Sequence, residues 1–282
     1  MATRKYKRKK RKSGGGFFLS VLTFLVVVGA IVMSLTVFLK VSEIEVSGTT
    51  RYDAKDIIKT SGIETGDNMF MINKFEVAER ILDEYPYIEQ IKIRRKLPDK
   101  FTFEIKERVP IAYIMSGETR WLIDRNAYIV ELLDGSATIN VPKITGAVVL
   151  TPRVGTRLTL ENEDQLPVLC EVLKALSLTE MIPHIDRIET DKFYDIKMVY
   201  GSRFMVKLGD VTSLTRKLEM LQLVIEELSD FDKGTIDVSA VKEARFKPDS
   251  NIDLSEKRTD LITEEEQPET REETAEETEI TQ

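Results

Sequence analysis

The chain has 282 residues but only one histidine, His184, and one cysteine, Cys170. A transition-metal site is built from several such ligands, and one of each without companions builds none. His184 follows Pro183 in an expected loop and reads as exposed or structural. Cys170 sits in an amphipathic run with Leu166, Leu169, Leu173 and Leu176, and reads as a small buried apolar residue. One cysteine also excludes an intrachain disulfide. There is no Gly-x-Ser-x-Gly elbow, no phosphate-cradling glycine loop and no Cys-His arrangement. Glu226-Glu227 is a carboxylate pair on a solvated helix face, and acid/base work needs a pocket as well as paired acids. Asp124 occupies a turn, where aspartate is favoured for local reasons. The expectation is a non-enzyme with no catalytic, cofactor-binding or metal-binding residues, no small-molecule substrate and no cofactor. What remains is binding, and the elements that present a binding surface.

The first of these elements is residues 17–39, FFLSVLTFLVVVGAIVMSLTVFL, 23 residues without a charge. As a helix they reach roughly 35 Å, enough to cross a ~30 Å hydrocarbon core with some tilt. A signal peptide is the alternative, but its apolar region is shorter and ends in small residues. Phe38-Leu39-Lys40-Val41 offers no such cleavage site. Ahead of the run, residues 1–16 carry Arg4, Lys5, Lys7, Arg8, Lys9, Lys10, Arg11 and Lys12, a charge of +8. Basic flanks stay in the cytoplasm, so this segment is expected inside and everything beyond Val41 outside, a single-pass type II protein. The basic run is read as a topology signal with some attraction to lipid, not as a nucleic-acid site. At the other end, residues 249–282 hold 13 acids against Lys257, Arg258 and Arg271, a net −10. With little core material they are expected to form a disordered acidic tail.

Residues 41–110 read strand, helix, helix, strand, strand. Ile44 and Val46 alternate with Glu43 and Glu45. Asp53 caps a short helix that Gly62 stops. Asn73 caps a second helix with Val77, Ala78, Ile81, Leu82 and Tyr85 on one side, closed by Pro86. Ile91 and Ile93, then Phe101, Phe103 and Ile105, alternate with polar residues on either side of Leu97-Pro98-Asp99-Lys100, a hairpin. Two helices on one face of a sheet are the compact solution.

Residues 111–248 read as a mixed α+β domain with a sheet and two helices. A hairpin is expected around Asp124-Arg125-Asn126-Ala127, and Asp134-Gly135 is a further turn. Pro142 argues that the extended segment 141–146 lies at an edge. A helix covers 166–178, strands cover 185–189, 195–200 and 203–208, and a second helix follows Leu214, Leu218, Leu221, Ile225 and Leu228. Gly234 frees the chain for a strand at Thr235-Ile236-Asp237-Val238.

The order strand-helix-helix-strand-strand resembles a POTRA domain. Ile44-Glu45-Val46-Ser47-Gly48, Arg95-Lys96-Leu97-Pro98 and above all Glu107-Arg108-Val109-Pro110-Ile111-Ala112 resemble the FtsQ/DivIB family of bacterial cell-division proteins, with Glu107, Arg108 and Pro110 closing the POTRA. The second half resembles that family's β domain through Leu122-Ile123-Asp124, Pro142-Lys143-Ile144-Thr145-Gly146, Gly201, Val206-Lys207-Leu208-Gly209, Lys217-Leu218 and Ile236-Asp237-Val238. Some members carry an Arg and an aromatic after that last Asp; here Ser239 and Ala240 stand near that place.

The resemblance implies a bitopic scaffold of the division complex in the cell membrane at the septum. Its implied partners are small bitopic proteins of the FtsL and FtsB/DivIC type and, through them, septal peptidoglycan synthases. The alternative is a membrane-anchored, chaperone-like POTRA receptor in protein transport. Such assembly proteins continue into a long membrane barrel, and only about 130 residues with two helices follow here. The expected partner surface is Thr235, Ile236, Asp237, Val238, Ser239, Ala240 and Val241. That strand is taken as the last, at a sheet edge, where β-augmentation can add a partner strand.

Overall fold

The computed structural model describes residues 15–134 and 139–255. The basic segment up to Gly14, the Gly135 turn position and the acidic stretch 256–282 lie outside the described residues. The first helix, α1 (Gly15–Phe38), carries the uncharged run. It is the single helix among the described residues long and apolar enough to cross a membrane, and its residues 17–34 are exposed along their length.

The next unit opens with β1 (Glu43–Ser47), α2 (Ala54–Ser61) and α3 (Lys74–Glu84), and closes with β2 (Ile88–Lys96) and β3 (Lys100–Glu107). The caps fall where side-chain chemistry demands them. Asp53 accepts from the backbone N–H of Lys55, Asn73 from that of Phe75, and Gly62 ends α2 in the left-handed region. The sheet order is β1-β3-β2, with β1 parallel to β3 and β2 antiparallel to it. Ile57, Ile81, Met69, Phe101 and Phe103 are buried between sheet and helices. Gly48 ends β1 with φ +84°, and a Cβ there would stand 2.0 Å from the carbonyl oxygen of Ile105. That close approach explains the glycine of the Ile-Glu-Val-Ser-Gly run.

The second unit contains β4 (Pro110–Ser116), β5 (Thr119–Asp124), β6 (Ile129–Leu133), β7 (Lys143–Thr145), β8 (Val149–Leu150), β9 (Thr159–Leu160) and α4 (Gln165–Leu176). It continues with β10 (Ile185–Glu189), β11 (Ile196–Tyr200), β12 (Phe204–Gly209), α5 (Leu214–Glu227), β13 (Gly234–Asp237) and β14 (Arg245–Pro248). Nine strands form one sheet in the order β14-β13-β12-β11-β10-β7-β4-β5-β6. Its core joins Leu169, Leu173 and Leu176 of α4 and Leu214, Leu218 and Leu221 of α5 to Ile188, Met198, Val206 and Ile236.

Two expectations fail here. The segment after Pro142 is not an edge: β7 lies inside the sheet, parallel to both β10 and β4. Pro142 precedes the strand, so its missing N–H removes no ladder bond, and its carbonyl accepts from the N–H of Tyr113 at 2.9 Å. Nor is the strand at Thr235 the last. β14 pairs with β13 in antiparallel register, Thr235 opposite Lys247 and Ile236 opposite Phe246.

Candidate partner-binding surface

The two units that follow α1 meet in a built junction. Glu107 turns back into the first unit, where its carboxylate accepts from Thr49 Oγ1 at 2.6 Å and from the backbone N–H groups of Thr50 and Arg51. Burial by itself would raise this carboxyl, but those hydrogen bonds overcome it and hold its pKa down at about 2. Its neighbour Arg108 turns the other way. Nη1 reaches Asp124 Oδ2 at 2.6 Å, and the guanidinium stacks on Tyr128. Asp124 also accepts from the N–H groups of Asn126 and Tyr128, so it is a buried keystone of the β5–β6 turn and not only a turn former. Pro110 then begins β4, and Ala112 is fully buried beside Ile111.

Further bonds tie the units together. Glu89 pairs with Lys106 and Arg125 at 2.9 Å each. Burial works to raise the Glu89 carboxyl, and the two cations outweigh it and lower it. Tyr87 donates its hydroxyl to Glu131 and packs with Leu122 and Val130. Burial, then the hydrogen bond to Glu131, pushes that phenol upward. The junction orients the second sheet on the first unit.

The side chains first considered for chemistry each have a neighbour in the fold. Cys170 is buried and accepts from Arg157 Nη2 at 3.3 Å. His184 packs near the Tyr200 ring, and Glu226 accepts from Gln222. Among the described residues, no three His, Cys, Asp or Glu side chains are grouped to hold a metal ion.

The seven residues expected to bind a partner are distributed differently from the expectation. Thr235, Ile236 and Asp237 lie in β13, second from the edge. Ile236 and Val238 are fully buried against α5 and its neighbours. Ser239, Ala240 and Val241 form the turn towards β14. The Ser239 N–H is taken by Asp237 Oδ1 at 3.0 Å, so it is not free for a partner strand. Burial raises the Asp237 carboxyl, but its bonds from Ser239 prevail and lower it. Ala240 and Val241 line a shallow groove with Lys242 and Glu243.

The edge itself is β14. Asp249 donates to the carbonyl of Lys233 at 2.9 Å. Alternation along an antiparallel strand then turns the N–H groups of Lys247 and Arg245 inward and that of Phe246 outward. The Phe246 ring faces Phe204 edge-on at 6.0 Å, which holds the strand in place. At the opposite end of the sheet, β6 is partly covered: Ile129 donates to the carbonyl of Thr156 and Gly155 donates to that of Ile129. Sequence reading missed β14 because Arg-Phe-Lys-Pro has one apolar residue and no alternation to mark it.

Comparison with known proteins gives this geometry its context. Residues 39–108 match the POTRA domain, FtsQ-type. The chain is 26% identical over 203 residues to the cell division protein DivIB of Clostridium acetobutylicum, covering 72% of this chain and 80% of that one. It is 27% identical over 239 residues to DivIB of Clostridium botulinum strain Hall, covering 83% and 90%. It is 27% identical over 178 residues to the cell division protein FtsQ of Corynebacterium glutamicum, covering 62% and 74%.

Proposed function

We propose that this chain, a member of the FtsQ/DivIB family of cell division proteins, is a non-enzymatic scaffold that captures small bitopic division proteins by strand addition. The partners in this reading are of the FtsL and FtsB/DivIC type, and they link the scaffold to septal peptidoglycan synthesis. α1 spans the cell membrane with the basic segment in the cytoplasm, which the +8 charge ahead of it supports. The POTRA unit and the second domain then stand outside, at the septum.

The observation that carries the reading is β14, which pairs on one side only among the described residues, at the end of a nine-stranded sheet. An extended partner segment would continue the ladder there, main-chain bonds giving affinity and alternate side chains giving specificity. Residues 235–241 contribute from behind: β13 holds β14 in register, and Ala240 and Val241 line the shallow groove, with Lys242 and Glu243, on the turn that leads into it.

Phe246 supplies the test. Phe246→Ala and Phe246→Pro both remove the ring from Phe204, but proline alone removes the outward N–H. In a pull-down of the full chain from membranes, Phe246→Ala should retain the small bitopic proteins and Phe246→Pro should lose them. Equal capture by the two variants, both folded by circular dichroism, would rule out augmentation at this edge.

A further inference from the structure

Four large apolar side chains of the POTRA unit face water: Phe70, Met71, Phe75 and Leu97, exposed by 57%, 83%, 85% and 63%. The topology gathers them at one end. Leu39, the residue after α1, accepts from the N–H of Met69 at 3.0 Å, and Val41 donates to the carbonyl of Asp67 at 2.8 Å. Lys40 and Asn68 form an antiparallel bridge. The chain therefore leaves α1 in one direction while residues 66–70 run back along it. With Met69 opposite Leu39, the turn that carries Phe70 and Met71 lies level with the last turn of α1. Met71 closes that turn by donating to the carbonyl of Asn68 at 3.0 Å.

The other two residues reach the same level by independent routes. β3 runs parallel to β1 with Lys100 opposite Glu43, so the β2–β3 turn containing Leu97 lies at the α1 end. Asp99 in that turn accepts from the N–H of Ser42 at 2.8 Å. Phe75 is in the first turn of α3, which leaves the same loop. The loop is also held in shape. Arg95 donates to the carbonyls of Met69 at 2.7 Å and Ile72 at 2.8 Å, and its guanidinium lies 5.5 Å from the Phe70 ring centroid.

We propose that Phe70, Met71, Phe75 and Leu97 form a preformed wedge that enters the acyl–headgroup boundary of the bilayer crossed by α1. The proposal rests on the reading of α1 as a membrane span, and its occupant is lipid because these residues are continuous with that span. Aromatic and long apolar side chains gain free energy at this boundary and sit roughly 5–10 Å into it. Lys40, exposed beside them, suits the headgroup layer. The wedge gives the POTRA unit a second attachment besides the single peptide link at Leu39, and so fixes its tilt. The junction at Arg108 and Glu89 passes that tilt to the second sheet and its β14 edge.

The test uses the full chain in liposomes of phosphatidylglycerol and phosphatidylcholine. An environment-sensitive fluorophore is attached at Met71→Cys, and at Glu84→Cys, exposed at the far end of α3, as the control. Buried Cys170 is corrected for with the chain that lacks an added cysteine. The probe at position 71 should shift to the blue and lose emission to lipids brominated near the headgroup, while the probe at 84 should do neither. Equal behaviour of the two probes would overturn the wedge, including the case where another protein covers these residues in cells. Flotation of the chain with the liposomes after alkaline washing reads α1 separately. Loss of flotation overturns the span and the wedge with it; flotation without quenching at position 71 overturns the wedge alone.

Discussion

Arg108 Nη1 lies 2.6 Å from Asp124 Oδ2, with 11% and 2% of the two side chains exposed, and the pair joins the end of the POTRA unit to the first hairpin of the second. Removing one member of a buried pair leaves the other charge uncompensated, at a cost of roughly 3–5 kcal/mol. Asp124 keeps two backbone N–H donors when Arg108 is lost. We therefore expect Arg108→Ala to destabilise the part of the chain beyond α1 by about 3 kcal/mol, the lower end of that range. Denaturant unfolding measures this, and a loss well under 1 kcal/mol would mean that the pair is dispensable.

Glu107 makes a pH-dependent contribution of a definite sign. Its carboxyl is held at about 2 in the folded chain, below the ordinary 4.5. A depressed carboxylate stabilises the fold fully above its unfolded pKa, and that stability is lost as pH falls towards the folded pKa. The window is therefore from about 4.5 down to about 2. Because the group is partly solvated, its share is on the order of 1–2 kcal/mol once screening is allowed for. Glu107→Gln should be less stable than the parent at about pH 6 and close to it at about pH 2. A stability gap that does not shrink on acidification would show that the hydrogen bonds do not depend on the charge.

These two residues also show what the sequence makes legible. The POTRA order of strands and helices, its caps and its hairpin all follow from periodicity and turn chemistry, because each element is set by nearby residues. The Glu-Arg-x-Pro-x-Ala run is legible as a likeness, but its cause is not: adjacent side chains lock opposite units, and partners at Thr49 and Asp124 are remote in sequence. The interior position of β7 and the existence of β14 are likewise decided by pairing across the sheet. Pro142 and the single apolar residue of Arg-Phe-Lys-Pro gave local signals that pairing overrode. The strand at Thr235 was consequently expected at the edge, where β14 lies.

The first residues of the acidic stretch make contacts with the second sheet. Arg187 of β10 donates to the carbonyls of Leu254 and Ser255, and Ile252 and Leu254 are half-buried. Residues 249–254 span roughly 20 Å when extended, about the width of the four strand spacings from β14 to β10. Arg187 stands opposite Val199 in the β10–β11 ladder, and Val199 is buried. A chain ending after Ser255 should melt like the full chain. One ending after Pro248 should lose about 1–2 kcal/mol, for the lost hydrogen bonds and apolar contact. Identical melting curves for the two truncations would show that the crossing segment adds nothing.

Lys217 is the residue whose position on its helix says most about how it acts. It falls three residues after Leu214 and four before Leu221, on the apolar stripe of α5, and is fully buried. Its three ammonium protons have three acceptors at 2.9 Å: the carbonyls of Leu208 and Asp210, and Asp210 Oδ1. The lysine thus closes the connection from β12 to α5, the stretch carrying Val206-Lys207-Leu208-Gly209. Two kinds of stabilisation are mixed here, the ion pair and the capping of buried carbonyls. The Asp210 side chain is 57% exposed, so the ion pair contributes at most about 1 kcal/mol. The Leu208 carbonyl is buried and has no solvent substitute, so leaving it without a donor costs roughly 1–3 kcal/mol, and the partly buried Asp210 carbonyl adds less. Asp210→Asn should therefore lower stability by less than about 1 kcal/mol. Lys217→Met, which keeps the apolar stem and removes the donors, should lower it by about 2–4 kcal/mol. If the two variants unfold at the same denaturant concentration, the lysine acts through its charge and the capping account is wrong.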